Sequence, residues 1–167
     1  MTQSEVIILR LLTTKDRYGY ELDRLIEENK MRQWANIGFS SIYHVLNKME
    51  KKNLLSSYYV KEQGTPKRKV YRISEEGRAA LRKEVMRMLS SPAEHQDDFT
   101  VGLVTSDVLS DDEFRECLSA YREQLTRRLD FYHREIPRRT REKERVALAL
   151  QRHAVLIEAE IEWLEGV

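Results

Sequence analysis

The chain has 167 residues, 41% hydrophobic and 34% charged, a balance that excludes a disordered polymer and fits one domain or two small ones. Its formal net charge of +1 is a cancellation: residues 1–89 carry 18 Lys and Arg against 11 Asp and Glu, and residues 90–167 carry 11 against 17. A basic front and an acidic rear place any anionic partner at the front.

The first predicted element is a short helix over 4–12 with Ser4 as its N-cap. Its apolar run, Val6-Ile7-Ile8-Leu9, is broken by Arg10 and has no basic stretch before it. It is too short to span a bilayer and poorly built as a signal peptide, so no membrane association and a cytoplasmic location are expected. A polar break over 13–17 leads to YGYELDRLIEEN, where Leu22, Leu25 and Ile26 recur at helical spacing. Trp34, in the less regular stretch after it, reads as core.

In FSSIYHVLNKMEKKN, Ile42, Val45, Leu46 and Met49 fall at i, i+3, i+4 and i+7, one apolar stripe on a helix that Ser40 or Ser41 can cap. The opposite face carries Ser41, Tyr43, His44, Asn47, Lys48 and Lys51. Residues 55–60 and 69–73 read as two strands joined at Gly64-Thr65-Pro66. The second strand brings Lys67, Arg68, Lys69 and Arg72 together, while Tyr71 and Ile73 are expected to pack it onto the helices. Ser74-Glu75-Glu76-Gly77 opens a further helix.

A polar, proline-containing connection follows over 90–98, and the remainder is predicted to be helical. One helix starts near Ser110-Asp111-Asp112-Glu113 and is expected to break or kink at Pro137. In the last helix Leu150, Ala154, Ile157, Ile161 and Leu164 are spaced 4, 3, 4, 3, a heptad-type seam that needs another helix from the same chain or a second copy. The four histidines are dispersed, and no Walker motif, GxGxxG or serine elbow is present. The single cysteine, Cys117, lies among acids and reads as packing, so neither an enzyme nor a cofactor is expected.

Three compact helices, the third with a polar outer face and followed by a basic hairpin, form a winged helix-turn-helix pattern suited to duplex DNA. The expected fold is therefore mainly α with a small two-stranded β wing. Residues 1–89 are expected to form the DNA-binding domain, 90–98 the connection and 99–167 a helical domain, to which the family resemblance given next assigns dimerisation.

At these residues the sequence resembles the PadR family of transcriptional regulators. LRLLTTKDRYGYEL is similar to the family's first-helix pattern and its Tyr-Gly-Tyr-Glu segment. Ser40-Ser41-Ile42-Tyr43 stands where the family has Gly-Thr-Leu-Tyr before a proline, with His44 in the proline's place. The stretch from Leu46 onward resembles Leu-x-x-Leu-Glu-x-x-Gly-Leu, with Met49 and Asn53 as departures. GTPKRKVYRISEEG resembles the family's Gly-Arg-x-Arg-Lys-x-Tyr-x-Leu-Thr-x-x-Gly wing.

The resemblance implies a homodimer on a palindromic operator in double-stranded DNA, usually a repressor, with a small-molecule effector such as a phenolic acid or a drug. It carries over Ser41, Tyr43 and Asn47 as recognition-helix contacts and Lys67 and Arg68 as wing contacts. Helical geometry adds Lys48 and Lys51. The dimerisation role falls to Leu150, Ala154, Ile157, Ile161 and Leu164. The rival reading is a winged helix that docks a protein partner instead of DNA, which would not need a basic recognition face.

Overall fold

The computed structural model describes residues 1–37, 42–61, 66–92, 97–139 and 144–167. The chain divides into two compact units, Met1–Glu94 and His95–Val167.

In the first unit the order is α1 (Gln3–Leu12), β1 (Arg17–Tyr18), α2 (Gly19–Glu28), a 3₁₀ turn (Met31–Gln33), α3 (Ile42–Lys51), β2 (Leu55–Val60), β3 (Arg68–Ile73) and α4 (Glu75–Ser90). Helix α1 is capped by Thr2, two residues before the expected Ser4. The Thr2 hydroxyl accepts from the Glu5 backbone N–H at 3.2 Å, and the Glu5 carboxylate accepts from the Thr2 N–H at 2.9 Å. Two orphan donors are satisfied reciprocally, which a serine two residues later could not do. Ser74 caps α4 as expected, accepting from Gly77 N–H at 2.9 Å.

The end of α3 explains a departure noted in the sequence. Leu54 N–H donates to the Met49 carbonyl at 3.0 Å, and Asn53 N–H donates to the Glu50 carbonyl at 3.0 Å. This bond pair is the Schellman closure, which needs a left-handed residue at its centre. Asn53 supplies it with φ 56°, a conformation asparagine tolerates where the family pattern has glycine.

The sheet has three strands in the order β1-β3-β2, one more than expected. β2 and β3 pair antiparallel from Leu55↔Ile73 to Val60↔Arg68, and two-residue β1 adds Arg17↔Tyr71 and Tyr18↔Val70. The Gly64 and Thr65 part of the turn lies outside the described residues. The core gathers Ile8, Leu9 and Leu12 of α1 with Leu22, Leu46, Met49, Leu55, Tyr71, Ile73 and Leu81. Tyr71 and Ile73 thus pack the wing against the helices. At about 1.5–3 kcal/mol for each fully buried aliphatic side chain, this cluster outweighs any ion pair on the unit's surface. Trp34 is half-buried.

The second unit contains α5 (Asp98–Val104), a 3₁₀ turn (Ser106–Val108), α6 (Asp111–Arg139) and α7 (Glu144–Leu164). Pro137 does not end α6: it sits two residues before the helix's last residue, within the last turn. There its ring costs one helical hydrogen bond where the ladder is already ending. Helices α6 and α7 pack as a pair, tied by Tyr121 Oη donating to Glu160 at 2.6 Å and by the Arg122–Glu165 ion pair at 2.7 Å. Cys117 is exposed on α6, so the packing role expected for it is corrected.

The seam on α7 is used within the chain. Leu150, Ala154 and Ile157 are buried against α6, and Ile161 and Leu164 on the same face are half-buried. Periodicity showed that a partner helix was needed, and α6 fills that place. The opposite face of α7 exposes Leu148, Val155, Leu156 and Trp163.

Candidate nucleic-acid interface

The site is built on α3 and the β2–β3 wing of the first unit. Helix α3 turns Ile42, Val45, Leu46 and Met49 inward. The same pitch turns Tyr43, Asn47 and Lys51 outward, where all three are exposed. Ser41, expected at the start of this face, lies outside the described residues. His44, also exposed, borders an open groove of about 360 Å³ shared with Thr2, Glu5, Asn36 and Lys48.

The Tyr43 ring lies against Gly19, where an added Cβ would come within 2.5 Å of Cε1. The Tyr-Gly-Tyr-Glu segment thereby acquires a physical reading. Glu21 caps α2 by accepting from Tyr18 N–H at 2.9 Å, and Gly19 makes room for the recognition-helix tyrosine. Tyr20 stacks on Tyr18 with ring centroids 5.4 Å apart. The Arg68 guanidinium stands 6.0 Å from the Tyr20 ring, at the edge of cation–π range. Tyr20 was not singled out from the sequence. Its proximity to the wing depends on β1 joining β3, which no local pattern announced.

Carboxylates sort the cations of the site into two groups. Lys48 Nζ is 3.2 Å and Lys52 Nζ 3.8 Å from Glu5 Oε1, a side chain only 3% exposed. Burial pushes the Glu5 carboxyl up, but the Thr2 N–H and the two lysines outweigh it and hold the group below the usual carboxylate range. Lys69 Nζ is 2.6 Å from Glu50 Oε2, and Ser57 Oγ donates to the other Glu50 oxygen. Arg72 pairs with Asp16 at 2.7 Å, and Tyr58 Oη donates to the same carboxylate at 3.0 Å. Hydrogen bonds from Lys69 and then Ser57 lower the Glu50 carboxyl, and one from Arg72 lowers Asp16.

Among the described residues no carboxylate pairs in this way with Lys51, Lys67 or Arg68, and all three are exposed. Of the seven residues expected to contact DNA, Tyr43, Asn47, Lys51, Lys67 and Arg68 are open side chains on α3 and the wing. Lys48 is half-exposed and committed to Glu5. Among the described residues no cluster of three His, Cys, Asp or Glu could hold a metal ion, and no helix is long and apolar enough to cross a membrane.

Three helices around an apolar core, with a paired antiparallel hairpin beside the third, define a DNA-binding winged helix. Residues 8–83 match the Transcriptional regulator PadR-like family. An uncharacterized protein of Lysinibacillus sphaericus is 38% identical over 97 residues, which are 58% of this chain and 87% of that protein. The chain belongs to the PadR-like family of transcriptional regulators.

Solved structures share the fold at lower identity. PadR of Bacillus subtilis in complex with operator DNA superposes with a TM-score of 0.77 at 18% identity, covering 97% of this chain and 95% of that one. The same protein in complex with p-coumaric acid gives 0.76 at 18%, covering 97% and 94%. The Vibrio cholerae virulence activator AphA gives 0.72 at 22%, covering 98% and 95%.

Proposed function

We propose that this regulator binds duplex DNA as a homodimer, with α3 in the major groove and the wing on the flanking phosphates. The observation that carries the reading is the open face of Tyr43, Asn47 and Lys51 on α3 beside the exposed Lys67 and Arg68 on the wing. A helix of this kind reaches base edges through its polar face, and wing cations neutralise phosphate without reading sequence. Ser41 joins the recognition set, and Lys48 joins it by exchanging Glu5 for phosphate.

Two copies would engage the half-sites of a palindromic operator together. The face of α7 bearing Leu148, Val155 and Leu156 suits a second copy better than the seam, because the seam is buried within the chain. The expected action is repression, relieved by a small aromatic effector. The complex of Bacillus subtilis PadR with p-coumaric acid motivates that class of molecule, while AphA, described as an activator, bears the same fold.

The test is binding to random duplex DNA over a range of salt, followed by selection of bound sequences from a randomised pool with and without phenolic acids. A steep negative slope of log affinity on log salt and an enriched inverted repeat are expected. Binding that is absent at low salt, or indifferent to salt, overturns the reading.

A further inference from the structure

Two carboxylates sit inside the basic wing region, where a surface built only for phosphate attraction would exclude them. Glu50 occupies the flank of α3 that faces the wing and joins two strands at once: Lys69 of β3 at 2.6 Å and Ser57 of β2. Asp16, just before β1, joins the same two strands on the opposite face of the sheet, through Arg72 of β3 and Tyr58 of β2. The Lys69 ammonium also lies 5.2 Å from the Tyr71 ring, and Arg72 lies 5.3 Å from that of Tyr58. On the opposite flank of α3, Lys48 is held by Glu5 of α1.

The recognition helix is therefore tied to α1 on one side and to the wing on the other. Partly exposed ion pairs contribute little to folding stability, and a carboxylate near DNA repels phosphate. Neither stability nor general affinity accounts for Glu50, whereas geometry does. It is the polar link between the helix that would read bases and the hairpin that would grip the backbone.

We propose that Glu50 is a positioning residue for sequence discrimination: by binding Lys69 and Ser57 it fixes the wing against α3, at the expense of non-specific affinity. Asp16 ties the opposite face of the wing to the segment before β1. The proposal rests on the DNA-binding reading above. Its signature is a pair of opposite effects. Removing the charge of Glu50 frees the Lys69 ammonium for phosphate and strengthens binding to any duplex. It also lets the wing drift relative to α3, weakening the preference for the selected sequence.

The experiment compares wild type, Glu50→Gln and the double variant Glu50→Gln/Lys69→Gln on two probes, a random-sequence duplex and the duplex enriched by selection with the wild type. Thermal melting of each variant confirms folding, and Asp16→Asn serves as a comparison on the opposite face, because its partners Arg72 and Tyr58 both belong to the wing. For Glu50→Gln, random-duplex binding should tighten, with a salt slope steeper by about one per wing. The ratio of selected to random affinity should fall roughly tenfold, the discrimination of about one well-placed base contact. In the double variant the random-duplex gain should vanish while the ratio stays low. A ratio unchanged in Glu50→Gln overturns the proposal, making this carboxylate a simple charge. A wild type that binds neither probe fails the DNA-binding reading itself, a separate outcome.

Discussion

A Cβ placed on Gly19 would stand 2.5 Å from Cε1 of Tyr43, so the opening of α2 and the exposed ring on α3 share one space. The obstacle is the ring of a side chain 49% exposed, which can swing away. Gly19→Ala should therefore cost little stability, within about 1 kcal/mol, while displacing Tyr43 and weakening DNA binding. Thermal melting beside a binding isotherm separates the two effects. A variant that binds like wild type would remove Tyr43 from the interface.

Gly77 provides the opposite case. A Cβ there would lie 1.9 Å from the carbonyl oxygen of Leu54, a backbone atom that cannot rotate aside. Gly77→Ala should destabilise the first unit by about 1–3 kcal/mol, the usual cost of forcing atoms into a packed site. Denaturant unfolding followed by tryptophan fluorescence, with Trp34 as the reporter in this unit, measures it.

Replacing Lys67 and Arg68 together by alanine should weaken binding to all duplexes alike and flatten the salt slope by about one to two units per wing. A loss confined to one sequence would assign these residues to base reading instead. The same change to Lys69 and Arg72 should have a smaller effect on the slope, because both cations are already neutralised by carboxylates.

The two faces of α7 should respond differently. Ile157→Ala removes packing from a residue 5% exposed and should cost about 2–5 kcal/mol in the second unit. Val155→Asp, on a residue 61% exposed, should leave folding nearly untouched and yield monomers in sedimentation. If Val155→Asp and Leu156→Asp both remain dimeric, the second copy docks elsewhere.

His153 stacks on Tyr132 with ring centroids 5.4 Å apart. Burial, with Arg152 and Arg128 nearby, holds its imidazole below the usual value of 6.5. A histidine depressed in the folded state binds fewer protons than in the unfolded chain, so its contribution is present above the unfolded pKa and lost as pH falls below it. Stability of the second unit should drop between about pH 7 and 5, and His153→Phe should reduce that drop. Melting curves across this range test the sign.

The helical order of the first unit was legible because its stripes are long enough to declare a period: Ile42, Val45, Leu46 and Met49 face inward as their spacing required. Strand β1 was not, since two residues carry no period and are strand only by pairing with Tyr71 and Val70. The seam from Leu150 to Leu164 showed that a helix must cover it. Spacing alone could not say whether that helix was α6 or belonged to another copy. The exposure of Tyr43, Asn47, Lys51, Lys67 and Arg68 followed from helix pitch and the hairpin. The pairings that sort its cations did not, because Glu5 with Lys48, Asp16 with Arg72 and Glu50 with Lys69 are remote in sequence and meet only in the fold.

The exposure of Cys117 has a practical side. As the chain's only thiol, standing in solvent on α6, it offers a single attachment point for a maleimide dye or a spin label without any substitution. An assembly of two chains would then carry two identical probes, and the distance between them would report the geometry of the pair, with and without DNA.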